Sequence, residues 1–243
     1  VVALSWEEIG REYMMRAKRA DIWKGILYGI AHTNLSNIDR DVETVERLLE
    51  LAPSPEAARR ACPIDPAFVA DLPFYKAETA TTALCDKAEN AENIIPALRS
   101  CARDKLQGMK REQIKTKEKS LDLVGLKWKG IDMTLLDCGC EVPVIDRHIA
   151  RYLMRVDPRF FKEMGEPTEE NFEERLREVQ NSANPGRYER LWRIAREHAE
   201  RSGLPAGVWH VAVWMRERFA KRYPKVSEEK RLEVARDYVR QLF

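Results

Sequence analysis

Along nearly the whole chain, apolar residues recur three and four positions apart, and no useful length alternates apolar with polar. That spacing lines one face of a 3.6-residue helix and leaves no strand pattern from which to build a sheet, so the chain is expected to be all-α. Helices are expected near 5–19, 21–33, 38–51, 55–61, 75–87, 90–105, 110–122, 128–138, 147–155, 168–180, 186–202, 206–222 and 227–242. Several starts carry a physical signal. Ser54 and Pro55 precede EAARRA, Thr168 precedes Glu169 and Glu170, and Ser227 precedes Glu228 and Glu229. Each pairs a capping hydroxyl with a proline or with carboxylates at the positive end of the helix dipole. Pro53, Pro63, Pro66 and Pro73 punctuate a stretch of short helices, and Asn184-Pro185-Gly186 and Gly203-Leu204-Pro205 mark later turns. No internal repeat or low-complexity linker divides the chain.

With 243 residues, 44% of them hydrophobic, there is enough apolar material for one large core or for two lobes. Lys and Arg total 42 against 40 for Asp and Glu, so any basic surface must be local. No apolar run approaches the roughly 18 residues of a membrane span. The opening VVALSWEEIGREYMMRAKRA has acidic residues where a signal sequence needs an apolar centre. An intracellular protein with no membrane partner is expected. Cys62, Cys85, Cys101, Cys138 and Cys140 spell neither a disulfide framework nor a zinc or iron–sulfur ligand set, and the Cys138/Cys140 pair is expected to pack in the core.

One stretch carries chemistry. In REQIKTKEKSLDLVGLKWKGIDMTLLDCG a helix is expected to end near Leu123, turn through Val124-Gly125-Leu126-Lys127, and restart by Trp128. Gly125 lets so short a turn reach positive φ, and the free N–H groups of the second helix can hold a phosphate without reading sequence. Lys105, Lys110, Arg111, Lys115, Lys117 and Lys119 add positive charge to this part of the chain. A hairpin alone says little, because any two packed helices need a turn. Further on, EVPVIDRHI places Asp146 where a helix N-cap belongs. The helix N-terminus favours its negative charge, so capping and catalysis do not exclude each other.

GLKWKGIDMTLLDCG followed by VPVIDRHIARYL resembles the signature of the helix-hairpin-helix base-excision DNA glycosylases, and most closely that of the archaeal and bacterial 8-oxoguanine DNA glycosylase/lyases, which share the I-D-R-H-I run. The motif covers about 30 residues; a looser likeness takes in PFYKAETA, AENIIPAL and SGLPAGVWHVAVW. The resemblance implies two helical lobes flanking a DNA-binding cleft. One would hold the N- and C-terminal helices, about 1–36 and 146–243, and the other would be a middle lobe, about 37–145, with the hairpin. It implies a catalytic lysine at the end of the hairpin and a catalytic aspartate downstream, which falls on Asp146. Lys127 stands where the family has a second glycine. Matching Gly139 to the glycine that ends the family's second hairpin helix puts Lys129 at the nucleophile, with one residue deleted before Asp146. Lys127 remains the alternative nucleophile, or a phosphate contact beside Gly125.

The chemistry explains these residue types. A base inside a duplex must be flipped out before its sugar can be attacked. A neutral lysine amine can then displace the base at C1′ and form a Schiff base, from which β-elimination cuts the strand. An ordinary lysine titrates near 10.4, so desolvation and neighbouring cations, with Lys127, Lys129 and Arg147 as candidates, would have to favour the neutral amine. Asp146 would stabilise the charge that develops on the sugar. Trp214 and His210, four apart on one helix face, are candidates for the base pocket, with core packing as the competing reading. Phe74, Tyr75 and Trp23 are further stacking candidates. Arg147 and His148 are expected at the DNA backbone, where His148 can instead pack or cap.

The expected function is therefore excision of an oxidised purine, 8-oxoguanine first, from damaged double-stranded DNA by a monomer needing no metal or other cofactor. A monofunctional glycosylase using Asp146-activated water and a non-catalytic hairpin module that binds DNA remain the alternatives. The second of these would bind in a salt-sensitive way without preferring damage.

Overall fold

Helices alone build the described part of the protein in the computed structural model, which describes residues 4–32, 39–73, 77–116, 128–182 and 184–243. These residues divide into two compact units, 1–18 with 141–242, and 19–140 with Phe243.

The second unit, continuous in sequence but for Phe243, is built on two helices that are buried nearly all round. In order it contains α2 (Ile22–His32), α3 (Asp39–Leu51), α4 (Pro55–Ala61), α5 (Pro66–Asp71), α6 (Ala77–Glu89), α7 (Ala91–Arg99), α8 (Arg103–Thr116) and α9 (Trp128–Asp137). α2 packs on α9, α3, α6 and α7, and from Gly25 to His32 every residue is buried. Its backbone approaches α9 so closely that a Cβ on Gly29 would stand 2.9 Å from Thr134 Cα. Only glycine permits that contact. Trp23 lies in this core, and its indole N–H donates to the Ala52 carbonyl at 2.8 Å.

The other unit comprises α1 (Trp6–Arg19), α10 (Arg147–Val156), α11 (Pro158–Glu163), α12 (Phe172–Asn181), α13 (Gly186–Ser202), α14 (Ala206–Arg222) and α15 (Glu228–Gln241). α14 is its centre, buried without interruption from Gly207 to Met215 and packed on α10, α13 and α15. α1 begins with a reciprocal cap: the Glu8 N–H donates to Ser5 Oγ, and the Ser5 N–H donates to Glu8 Oε2. The Trp6 indole donates to Glu228 at 2.9 Å and ties α1 to α15.

The all-α expectation holds among the described residues, where no strand occurs. The boundaries differ in instructive ways. Where helices 90–105 and 110–122 were expected, the described residues form α7 and α8, broken at Ser100-Cys101-Ala102, and residues 117–122 lie outside the described residues. α7 ends in a Schellman turn, with Ala102 N–H on the Ala97 carbonyl and Cys101 N–H on that of Leu98. Cys101 takes the left-handed position at φ 52°. α12 starts at Phe172 rather than Thr168, because Thr168 and Asn171 close a turn of their own through Asn171 Oδ1 and Thr168 Oγ1. α5 and α11 were not expected. The unit boundary after Lys18 also places α2 with the middle helices, where an N-terminal lobe reaching residue 36 was expected.

The cysteines correct the reading that they spell no disulfide framework. Cys62 bonds Cys85, joining the end of α4 to α6, and Cys101 bonds Cys140. The second bridge links two helix ends of the same kind. Gly139, at φ 82°, ends α9 in a Schellman turn, with Cys140 N–H on the Leu135 carbonyl and Gly139 N–H on that of Leu136. Cys138 alone is free, its thiol pushed up from the usual range by burial first and by Asp137 second.

Candidate active site around Asp146

Between the end of α9 and the start of α10 the chain runs from Glu141 to Asp146 without forming a helix. A buried segment must find partners for its backbone polar groups; side chains of neighbouring helices supply them at Pro143, Val144 and Ile145, while the exposed Glu141 reaches outward with its own carboxylate. Glu141 Oε2 accepts the Gly207 N–H at 2.9 Å, capping α14, while its Oε1 meets Lys18 Nζ at 2.7 Å. The Pro143 carbonyl accepts the Trp192 indole N–H at 2.9 Å, from α13. The Val144 N–H donates to His210 Nδ1 at 3.2 Å, on α14. The Ile145 carbonyl accepts from Gln180 Nε2 at 2.8 Å, from α12. Val142, Val144 and Ile145 are buried among these helices.

The strap delivers Asp146 to the N-terminus of α10. Its Oδ1 accepts both the His148 N–H at 2.9 Å and the Ile149 N–H at 2.8 Å, as the sequence led us to expect of an N-cap. Asp146 is 5% exposed, so its carboxylate is nearly enclosed, and the two amides hold it through a single oxygen.

Cations surround the neighbouring ring. The His148 imidazole is pushed below its usual range, by burial first and then by Arg218, Arg147 and Lys221, with Asp146 opposing them. It therefore stays neutral at pH 7 and above. Arg147 is exposed and reaches Glu173 at 3.5 Å, a loose surface pair. Trp214 is buried on α14, and the Arg218 guanidinium lies over its ring at 4.9 Å from the centroid. His210 is fully buried beneath the strap. Arg218, Lys221, Gln180 and Trp192 were not among the residues singled out from the sequence. No local pattern marks Gln180 or Trp192, whereas Arg218 and Lys221 continue the motif-bearing helix and a helical wheel from Trp214 would have reached Arg218.

In the other unit, α9 presents one residue differently from all the rest. Trp128 and every residue from Gly130 to Asp137 are buried, and Lys129 alone on this helix is partly exposed. Two internal pairs fix the helix. Asp132 meets Arg103 of α8, with Nε on Oδ1 at 2.6 Å and Nη2 on Oδ2 at 3.1 Å, and Asp137 Oδ2 lies 3.0 Å from His32 Nδ1 of α2. Neither Asp132 nor Asp137 is exposed at all. Gly125 and Lys127 lie outside the described residues, as do Phe74 and Tyr75. Trp23, with its indole bonded inside the core of its unit, is placed for packing.

A groove of about 680 Å³ opens between Asp157–Arg159 and Glu197–Arg201. α10 separates it from Asp146 by ten residues, or about 15 Å of helix. Its carboxylate is already engaged, since Asp157 takes Arg159 and His198 and is held far below the usual carboxylate range, chiefly by Arg159. None of the expected site residues lines it. Among the described residues no group of His, Cys, Asp or Glu is placed to hold a metal, and no helix is long and apolar enough to cross a membrane. No family model, curated protein or solved structure matches this chain.

Proposed function

We propose that the protein is a bifunctional DNA glycosylase/AP lyase that removes an oxidised purine, 8-oxoguanine in the first instance, from double-stranded DNA. The observation that carries this reading is Asp146, an aspartate of the VPVIDRHI motif whose carboxylate is held by two amides at a helix N-terminus, beside a neutral His148 and the cations Arg147, Arg218 and Lys221. Preorganised charge of this kind stabilises a positive centre on a sugar without reorganising during the reaction. The surrounding cations suit the phosphates on either side of that sugar.

Lys129 supplies the amine. It sits at the second position of a helix locked by the Arg103–Asp132 and His32–Asp137 pairs, and rigid support is what a nucleophile needs to meet C1′ in line. The positive end of the helix dipole works against a further positive charge there. Attack of the neutral amine on C1′ forms the C–N bond as the glycosidic bond breaks, and the base leaves with the bonding pair. The attached nitrogen gives up a proton to the departing base, its lone pair opens the C1′–O4′ bond as the ring oxygen takes a proton from water, and the Schiff base so formed on Lys129 lets loss of a C2′ proton expel the 3′ phosphate. Asp146 offsets the charge on the sugar during the first step.

The test is incubation with duplexes that each carry one defined lesion, scoring released base and strand cleavage. Release of 8-oxoguanine with cleavage at the same site supports the reading. Release of a different base without cleavage points to a monofunctional enzyme, and salt-sensitive binding without release points to a binding module.

A further inference from the structure

We propose that His210 is a positioning residue for Asp146, acting through the strap and not through a base pocket; the inference rests on the glycosylase reading of Asp146. Its ring is fully buried, and its Nδ1 accepts the Val144 N–H two residues before the carboxylate. An imidazole nitrogen can accept only when it carries no proton, so this bond sets the neutral tautomer with hydrogen on Nε2. Val144 is itself fully buried. Without His210 its N–H would be a buried donor with no acceptor, and the strap would rotate or admit water to satisfy it.

The neighbouring clamps explain why that movement would reach Asp146. Trp192 holds Pro143 on one side of Val144, and Gln180 holds Ile145 on the other. Glu141 at the far end is shared between Lys18 and the Gly207 N–H. Four successive anchors thus reach the strap from α14, α13, α14 and α12, and the peptide after the last of them leads into the α10 cap. Of these anchors, His210 alone among the described residues engages a strap N–H. A catalytic carboxylate needs placement to within about 0.5 Å, and an anchor two residues away can set that tolerance.

The experiment compares His210→Asn with His210→Leu in the full chain. Asparagine places Oδ1 near the position of Nδ1 and can still accept from Val144; leucine fills a similar space and cannot. Three quantities are read: exchange of the Val144 amide, affinity for a lesion duplex, and the single-turnover rate of base release. His210→Leu is expected to speed Val144 exchange and to slow release about 10- to 100-fold, the scale for a small misplacement, with affinity nearly unchanged. His210→Asn is expected to restore both protection and rate. If His210→Leu does not fold, Gln180→Leu, which frees the Ile145 carbonyl, takes its place with the same split expected between rate and affinity. Unchanged Val144 exchange in His210→Leu, or a rate that falls equally in both His210 variants while Val144 stays protected in the asparagine, overturns the proposal. A wild-type protein that releases no base from any duplex overturns the catalytic reading instead, and the exchange data then decide the clamp by themselves.

Discussion

Arg103 grips Asp132 through two parallel hydrogen bonds, out of water, three residues beyond Lys129 on α9. The pair fixes α8 to α9, and breaking it on one side leaves a buried charge with its partner gone. Arg103→Leu should therefore cost about 3–5 kcal/mol, whereas Arg103→Met combined with Asp132→Leu should recover most of that loss. Urea unfolding of the single and double variants checks this. Equal destabilisation in both would show that the helices are held by packing and that the ion pair matters little.

Lys87 on α6 is a charge with a different balance. It is 2% exposed, and burial pushes its amine down to about 8, against smaller opposing effects of Asp86 and Cys138. Below pH 8 the amine is charged in both folded and unfolded chains, and the folded state bears the whole desolvation penalty. That penalty is relieved as pH rises from about 8 to the ordinary lysine value, so stability should increase across that window by an amount on the order of 3 kcal/mol. Lys87→Met should be more stable than the native chain at pH 7 and should lack the alkaline rise. Denaturant midpoints at pH 7, 8.5 and 10 measure it, and a destabilised Lys87→Met would contradict it.

Asp146 both caps a helix and, on the proposed function, serves the chemistry, and two substitutions separate these roles. Asparagine keeps an acceptor for the His148 and Ile149 amides and should change stability little, since Asn and Asp cap about equally well. Alanine loses the cap and should cost about 1 kcal/mol. Both lose the charge, so both should slow base release by about 100-fold or more. An Asp146→Asn protein that works at the native rate would leave the residue as a cap only.

The two disulfides make a claim about thiols. They close loops with sequence separations of 23 and 39 residues, and each should stabilise the fold by about 3–4 kcal/mol on chain-entropy grounds. Denatured without reductant, the protein should show one titratable thiol, Cys138; after reduction it should show five and melt at a lower temperature. Five thiols without reduction would contradict both bridges.

What the sequence reveals depends on the range of the forces involved. The long helices are legible because burial imposes the same 3.6-residue pattern on each, and the cap at Asp146 is legible because it is made within three residues. α5 and α11 are too short to show a period, and each begins with a proline that reads as a break. The interruption between α7 and α8 is written in Cys101, whose left-handed backbone follows from a helix end that glycine usually occupies and that a partner at Cys140 fastens. Gln180 and Trp192 hold the strap from far along the chain, and nothing local to either residue marks them. His210 was legible as a functional candidate, but the structure places its ring beneath the strap, bonded to Val144.

On the proposed function, Lys129 attacks the sugar. Borohydride trapping on an 8-oxoguanine duplex tests it most directly, comparing the native protein with Lys129→Gln and Lys127→Gln. A covalent protein–DNA adduct is expected with the native chain and with Lys127→Gln, and none with Lys129→Gln. An adduct that persists in Lys129→Gln, or in both variants, would contradict it.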